Sequence, residues 1–299
     1  MSFWDSVRNL FNPKPKEYQP PTDVPVDQFP ENNTGVIEGK RDTDFVAGKA
    51  GDSASKIPYE IVLPSGDWRQ FVPVGEQQFF PNFDTMACVS YSNNNSAELQ
   101  LKQSTGLEFN FSDRALSVLS ETTKQGNYLY KVADVGRNIG RFLESDYPDD
   151  NPIPTSWDDY NKPLTPDLMK KAFRFNEAYQ WVGTDKATLQ KYLKQAPIQI
   201  IVNNGTHAVC LVYVDDSGYW YYDSYKEFLK KTTIAPSSAL QIIVKPMTQF
   251  VHRKGTSEYG FYVPSPDIAA IKARGEQLGY PIVDSKGVVA WNKAKDIII

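Results

Sequence analysis

The spacing of apolar positions changes character once along this chain. Between residues 88 and 195 they recur at helical intervals, and beyond 197 they crowd into short strand-like runs. The first helix opens at Cys88 and continues through Ser92 to Lys102. Ser112 can cap a second helix over 112–120, with Leu116 and Leu119 on one side. A third spans 128–136 and is broken by Gly136-Arg137-Asn138-Ile139-Gly140. Residues 166–175 read as helical. Thr184 can cap a helix over 186–195 whose apolar stripe is Leu189, Tyr192 and Leu193. Then 197–203, 207–214, 219–223 and 240–244 read as strands, the middle two joined by the turn Asp215-Asp216-Ser217-Gly218. Helices first and strands second indicate an α+β fold rather than a doubly wound α/β sheet.

The two ends have a different texture. Residues 1–57 read as a Pro-rich N-terminal arm. Pro13, Pro15, Pro20, Pro21, Pro25 and Pro30 interrupt any helix, and polar residues dominate the rest. At its head, residues 2–11 can form a short amphipathic helix with Phe3, Trp4, Val7, Leu10 and Phe11 on one face. Residues 58–246 read as one packed domain. Residues 247–299 form a C-terminal extension in which 266–279 read as a helix and 287–291 as a short strand. Such an arm and extension suit attachment to a larger assembly, so protein partners are expected through both.

Composition narrows the field further. A net charge of −4 gives no basic face for a phosphate backbone, so nucleic acid is not the expected partner. No apolar run approaches the roughly 20 residues that span a membrane. Met1-Ser2-Phe3-Trp4-Asp5 is not the basic, then apolar, start of a secretory signal. The 2 cysteines form neither a disulfide framework nor a zinc motif. A reducing location is expected, cytoplasmic or virion-associated, with no cofactor and no metal.

With 2 cysteines and 2 histidines, candidate thiol chemistry is easily enumerated. Cys210 lies in an apolar strand run and reads as a small core residue. His252 sits in Val251-His252-Arg253-Lys254, where neighbouring cations weaken a base. That leaves Cys88 with His207. Cys88 opens a helix, whose positive end favours a thiolate. Asp223, on the strand after His207, is the available group to orient the imidazole. A regular hairpin closed at 215–218 would set Asp223 opposite Cys210, three residues from His207, so a bulge or a strand-start position for His207 must close the gap. His207 and Cys210 face opposite sides of a strand and cannot chelate a metal together. The plain alternative for Cys88 is an inert buried thiol.

Taken in order, several short stretches between Leu63 and Lys231 resemble the papain-like cysteine peptidases. Asp67-Trp68-Arg69, Pro73-Val74-Gly75-Glu76-Gln77 and Cys88-Val89-Ser90-Tyr91-Ser92 resemble the family's D-W-R, P-V-x-x-Q and C-W-A-F-S. Phe142 to Pro148 resembles its G-I-x-x-E-x-x-Y-P, and Ala196-Pro197-Ile198-Gln199-Ile200 its G-P-v-x-V strand. Thr206-His207-Ala208-Val209 and Tyr222-Asp223-Ser224-Tyr225 resemble the segments carrying the base and its orienting residue. There are departures. The C-G-S-C-W signature is absent, Asp223 stands for the usual Asn, and Tyr225 for a Trp. Gln77 lies eleven residues before Cys88, which requires an insertion near Phe79-Phe80-Pro81-Asn82-Phe83 and makes Gln78 a competitor for its role.

The resemblance implies a helical subdomain and an antiparallel β-barrel-like subdomain with the active-site cleft between them. It implies hydrolysis of peptide or isopeptide bonds in a polypeptide substrate. Cys88 would be the nucleophile, His207 the base and then acid, Asp223 the group that sets the tautomer, and Gln77 with the backbone N–H of Cys88 the oxyanion donors. Residues 1–57 contain no recognisable inhibitory propeptide, so no zymogen is expected. The alternative function is a structural component, for example of a phage virion, built on the same scaffold with little or no activity.

Overall fold

Helix α1 (Cys88–Thr105) is buried from Cys88 to Leu101 although much of it is polar. A helix that is polar all round ordinarily lies in solvent, so its amides need partners inside the protein. Asn93 donates to Gln199 Oε1 at 3.0 Å, and Gln199 donates back to Ser92 Oγ at 2.9 Å and to the Val89 carbonyl at 3.1 Å. Asn94 donates to Asp113 at 2.8 Å. Gln100 accepts from the Val244 N–H at 2.9 Å and donates to the Ile242 carbonyl at 3.2 Å. Arg141, fully buried, donates to Asn93 at 2.8 Å and pairs with the buried Glu177 at 2.9 Å. The helix is thus bolted to its surroundings by polar contacts, and its N-terminus is placed with them.

The computed structural model describes residues 35–37, 39, 57–105, 108–149, 152–169, 171–172 and 175–245, and the backbone of three strands beyond them. Before α1 come β1 (Phe79–Phe80) and β2 (Phe83–Asp84), a small hairpin. After it come α2 (Asp113–Leu119), α3 (Leu129–Asn138), and the single turns α4 (Trp157–Tyr160) and α5 (Pro166–Met169). Then follow β3 (Asn176–Trp181), α6 (Lys186–Leu193), β4 (Ile198–Val202), β5 (His207–Asp215), β6 (Gly218–Tyr222), β7 (Leu229–Thr232) and β8 (Ser238–Lys245). The strands β9 (Gln249–His252), β10 (Glu258–Tyr262) and β11 (Val288–Lys293) form a separate three-stranded sheet in the order β11-β10-β9.

The main sheet has six strands in the order β3-β8-β4-β5-β6-β7, every neighbour antiparallel. The chain is therefore a mixed helix-and-sheet protein with an antiparallel sheet. The sheet is open, because β3 and β7 are edges, whereas a barrel requires its edges to pair. Helix α1 packs on β5 and β8, and α6 on β4 and β5. With helices covering it, β4 and β6 are buried at every position. Trp68 is 0 % exposed and donates to the Leu193 carbonyl at 2.6 Å, which makes it a packing residue joining the first turn of the domain to α6.

One capping expectation holds and others shift. Ser112 caps α2, accepting from the Ala115 N–H. Asp185 rather than Thr184 caps α6, accepting from the Thr188 N–H at 2.9 Å. The helix expected over 166–175 is one turn, Pro166–Met169, among the described residues. Strands β3 and β7 were not anticipated by the apolar pattern. The helices expected over 2–11 and 266–279 lie outside the described residues, as does most of the N-terminal arm.

Candidate active site

The turn into α1 is tightly specified. Asp84 Oδ1 accepts the Met86 N–H at 2.8 Å, and Met86 takes a left-handed backbone, φ 55°. A non-glycine residue there costs about 1–3 kcal/mol and persists where its surroundings over-determine it. The carbonyl of Ala87 then accepts from Ser90 and Tyr91, and Cys88 stands in the first turn.

On the facing strand, two successive left-handed residues, Asn203 and Asn204 at φ 54° each, turn the chain after β4. His207 is delivered at the first position of β5, paired with Val202. The Ala208 N–H donates to Cys88 Sγ at 3.4 Å. The His207 imidazole interacts with the Cys88 thiol on one side and meets Asp223 Oδ1 through Nε2 at 2.7 Å on the other.

Asp223 reaches His207 through the sheet. Val214 pairs with Tyr219, but the register shifts between Leu211 and Tyr213, so Cys210 pairs with Tyr222. Val212 is the extra residue. Continuing that ladder sets Asp223 opposite Val209, two residues from His207 and on its face. Both of the alternative devices that could close the gap are present, the bulge and the strand-start position.

Asp223 has a second partner that the sequence reading missed. Lys230 on β7 donates to its Oδ2 at 2.9 Å. Burial pushes the Asp223 carboxyl up, but the charges and hydrogen bonds of His207 and Lys230 outweigh it and hold it below its ordinary value. Burial likewise pulls the imidazole down, and Asp223, with the Cys88 thiol, reverses this and lifts His207 from 6.5 to about 10. The imidazole is thus buried between a carboxylate and the Cys88 thiol, in surroundings that favour its protonated form.

Tyr225 covers this arrangement, its ring centre 5.3 Å from that of His207. Its hydroxyl donates to Asp84 Oδ2 and accepts from Gln78 Nε2 at 2.8 Å. Gln78 also donates to Asp84 Oδ1 at 2.8 Å and accepts from Ser224 Oγ at 2.7 Å. The two candidates for the oxyanion donor, Gln77 and Gln78, are placed differently. Residues 77–80 alternate exposed and buried, so Gln77 faces outward and Gln78 inward. Gln77 lines a cavity of about 480 Å³ whose walls do not include Cys88.

Cys210 is a buried free thiol whose pKa is pushed far up by burial, as suits a core residue. His252 is described only through its backbone, in β9. Among the described residues no group of three or more His, Cys, Asp and Glu is arranged to hold a metal ion, and no helix is long and apolar enough to cross a membrane.

A second buried polar centre lies along the flank of α1. Glu98 accepts from the Phe111 N–H at 2.7 Å, and Asp149 accepts from the Tyr91 hydroxyl at 2.6 Å and the Arg114 N–H at 2.8 Å. Glu144 accepts from the Asp149 N–H, and Asp113 lies close by. Burial, and then the other carboxyls, push Glu98 up to about 8 and Glu144 to about 9. Burial lifts Asp149 to about 6 against its hydrogen bonds.

No family model matches the chain, and no curated protein matches it. Among solved structures it is similar to digestive procathepsin L 3 of Tenebrio molitor larval midgut, with TM-score 0.48 and 15 % identity over 69 % of this chain and 75 % of that one. It is similar to the proform of the Amb a 11 cysteine protease, a major ragweed pollen allergen, with TM-score 0.48 and 15 % identity over 64 % and 68 %. A recombinant stem bromelain precursor gives TM-score 0.47 and 12 % identity over 61 % and 70 %. Likeness at this level does not identify an activity.

Proposed function

We propose that the chain is a papain-like cysteine peptidase, with Cys88 on a helical half and His207 on a strand-rich half of the domain. The observation that carries this reading is the convergence of Cys88, His207 and Asp223 from three separate stretches, with Nε2 to Oδ1 at 2.7 Å. The Cys88 thiolate adds to the carbonyl carbon of a peptide bond. His207 gives its proton to the leaving amine, so the C–N bond breaks and a thioester remains. His207 then takes a proton from water, whose oxygen attacks the thioester, and the thiolate is released. Asp223 keeps Nε2–H occupied, so Nδ1 faces the thiol, and Lys230 holds the carboxylate in place. Both amide hydrogens of Gln78 are engaged by Asp84 and Tyr225. The N–H groups of Ser90 and Tyr91 are taken by the Ala87 carbonyl, so the oxyanion falls to the backbone N–H of Cys88 at the opening of α1.

The test is labelling by a thiol-directed epoxide, read by intact mass. One adduct is expected, absent in Cys88→Ala and slowed at least about tenfold in His207→Ala. Labelling of Cys88 at a rate indifferent to His207 would sink the reading. The second reading, a structural component of an assembly on the same scaffold, is favoured by the complete burial of the three residues.

A further inference from the structure

Three charged or chargeable side chains share one face of the sheet where β5, β6 and β7 run side by side. Asp223, just past β6, stands diagonal to His207 on one neighbour and to Lys230 on the other. The Tyr222–Leu229 pair ends the β6–β7 ladder, and the Asp223 N–H carries it one step further by donating to the Phe228 carbonyl at 2.7 Å. Lys230, opposite Tyr221, is two positions from Phe228 and so on the face that Asp223 uses. Lys231 faces the other way, its ammonium 5.1 Å from the Trp220 ring centre. Register alone separates two adjacent lysines, one toward the carboxylate and one away from it.

The carboxylate is divided atom by atom. Its Oδ1 meets the imidazole at 2.7 Å, and its Oδ2 accepts from the Lys230 ammonium at 2.9 Å. The Asp223 side chain is 1 % exposed and that of Lys230 13 %. The imidazole also faces the Cys88 thiol of α1, the Tyr225 ring and, behind that ring, the Asp84 carboxylate that accepts its hydroxyl. Beyond the thiol the wall is backbone, since a Cβ on Gly35 would stand 2.7 Å from Cys88 Sγ.

With its proton on the imidazole, this set of four balances thiolate and carboxylate against imidazolium and ammonium. Once the proton has passed to a leaving amine and the sulfur carries an acyl group, carboxylate still faces ammonium, and the set is neutral again. Without Lys230 each state would hold one unanswered negative charge out of water, which is costly. That charge would also hold the proton on the imidazole, which Asp223 and the thiol already lift to about 10.

We infer that Lys230 is a positioning residue of the Cys88 centre, its ammonium being the counter-charge that lets a carboxylate orient His207 while the imidazole still releases its proton. This rests on the acyl-transfer reading of Cys88.

The experiment follows epoxide alkylation of Cys88 against pH in the full chain, by intact mass. Beside it runs a nitrogen-NMR titration of the His207 imidazole, assigned with His252→Gln. Lys230→Met keeps an apolar stem and loses the charge. It should move the alkaline limb of alkylation and the imidazole titration together, to higher pH by about one pH unit. Asp223→Asn leaves an ammonium beside a neutral amide. It should move both to lower pH and slow alkylation at least about tenfold. Adding Lys230→Met to Asp223→Asn should recover about tenfold in rate, because a neutral orienting residue needs no counter-charge. That pair decides the matter even if Lys230→Met alone does not fold. A titration unmoved by Lys230→Met would overturn the proposal, as would a double variant no faster than Asp223→Asn. Labelling indifferent to His207, in a chain whose imidazole titration follows residue 230, keeps the counter-charge and removes the acyl-transfer reading. Labelling governed by His207, with an alkaline limb indifferent to residue 230, does the reverse.

Discussion

Two buried polar centres lie against helix α1. At its N-terminus, Cys88, His207, Asp223 and Lys230 hold charges of both signs, and Asp223 sits low while His207 sits high at about 10. On its flank, Glu98, Asp113, Glu144 and Asp149 crowd together, and Glu98 and Glu144 rise to about 8 and 9. Burial penalises charge in both places. In the first, opposite charges answer it and ions survive. In the second, protons answer it and the carboxyls lean toward their neutral forms. The first arrangement favours a proton on the imidazole between a carboxylate and a thiol, as the proposed chemistry requires. The second ties the flank of α1 to α2 and to the loop that carries Glu144 and Asp149.

The difference is broken most sharply at the thiol. Cys88→Ala should lower acyl transfer by on the order of 10⁴-fold or more, whereas Glu98→Gln should leave it within about threefold. Both are read by hydrolysis of a peptide substrate. Next in size, Asp223→Ala should slow the reaction by up to about 10⁴-fold and cost about 3–5 kcal/mol of stability in denaturant melts, because a buried charge set loses its carboxylate. The imidazole should return toward ordinary acidity, seen by NMR titration or as a shifted limb of the pH–rate profile.

The pH dependence of stability sharpens the comparison further. Between 4.5 and about 8 the folded chain keeps a proton on Glu98 that the unfolded chain releases, so stability falls as pH rises through that window. His207 contributes fully below 6.5 and loses its contribution as pH rises toward 10. The melting temperature should therefore be higher at pH 5 than at pH 9. Glu98→Gln should flatten the slope from 4.5 upward, and His207→Gln only above 6.5. A slope unchanged in both variants would show that neither centre titrates as described. The smallest effect is expected for Ser112→Ala, about 1 kcal/mol from the lost cap of α2, with labelling at Cys88 unaffected.

What the sequence makes legible follows the same division. Cys88, His207 and Asp223 stand out because thiol chemistry needs those residue types and few exist. Strands β4, β5, β6 and β8 stand out because their apolar runs are buried. Strand β3 hides because it buries Glu177 and Gln180 against Arg141 and Gln241, and polar inward positions erase the alternation. Strand β7 hides behind Lys230 and Lys231, and Lys230 reads as solvent-facing until its carboxylate is seen. Gln77 and Gln78 differ only in which side of the chain each faces, just before the two-residue strand β1, and so short a stretch advertises no period. Gly35 sits in a polar, Pro-rich stretch with no period, so nothing local announces that its missing side chain faces a thiol 53 positions later.

The bulge at Val212 also governs how this hairpin can change over evolutionary time. Residues added between Asp215 and Gly218 lengthen a loop and leave the ladder untouched. A single residue gained or lost between His207 and Leu211, or between Tyr221 and Asp223, exchanges the faces of the imidazole and its carboxylate. Descendants of this chain are therefore free to vary the base-to-carboxylate spacing at the tip, while the ladder itself tolerates change only in pairs.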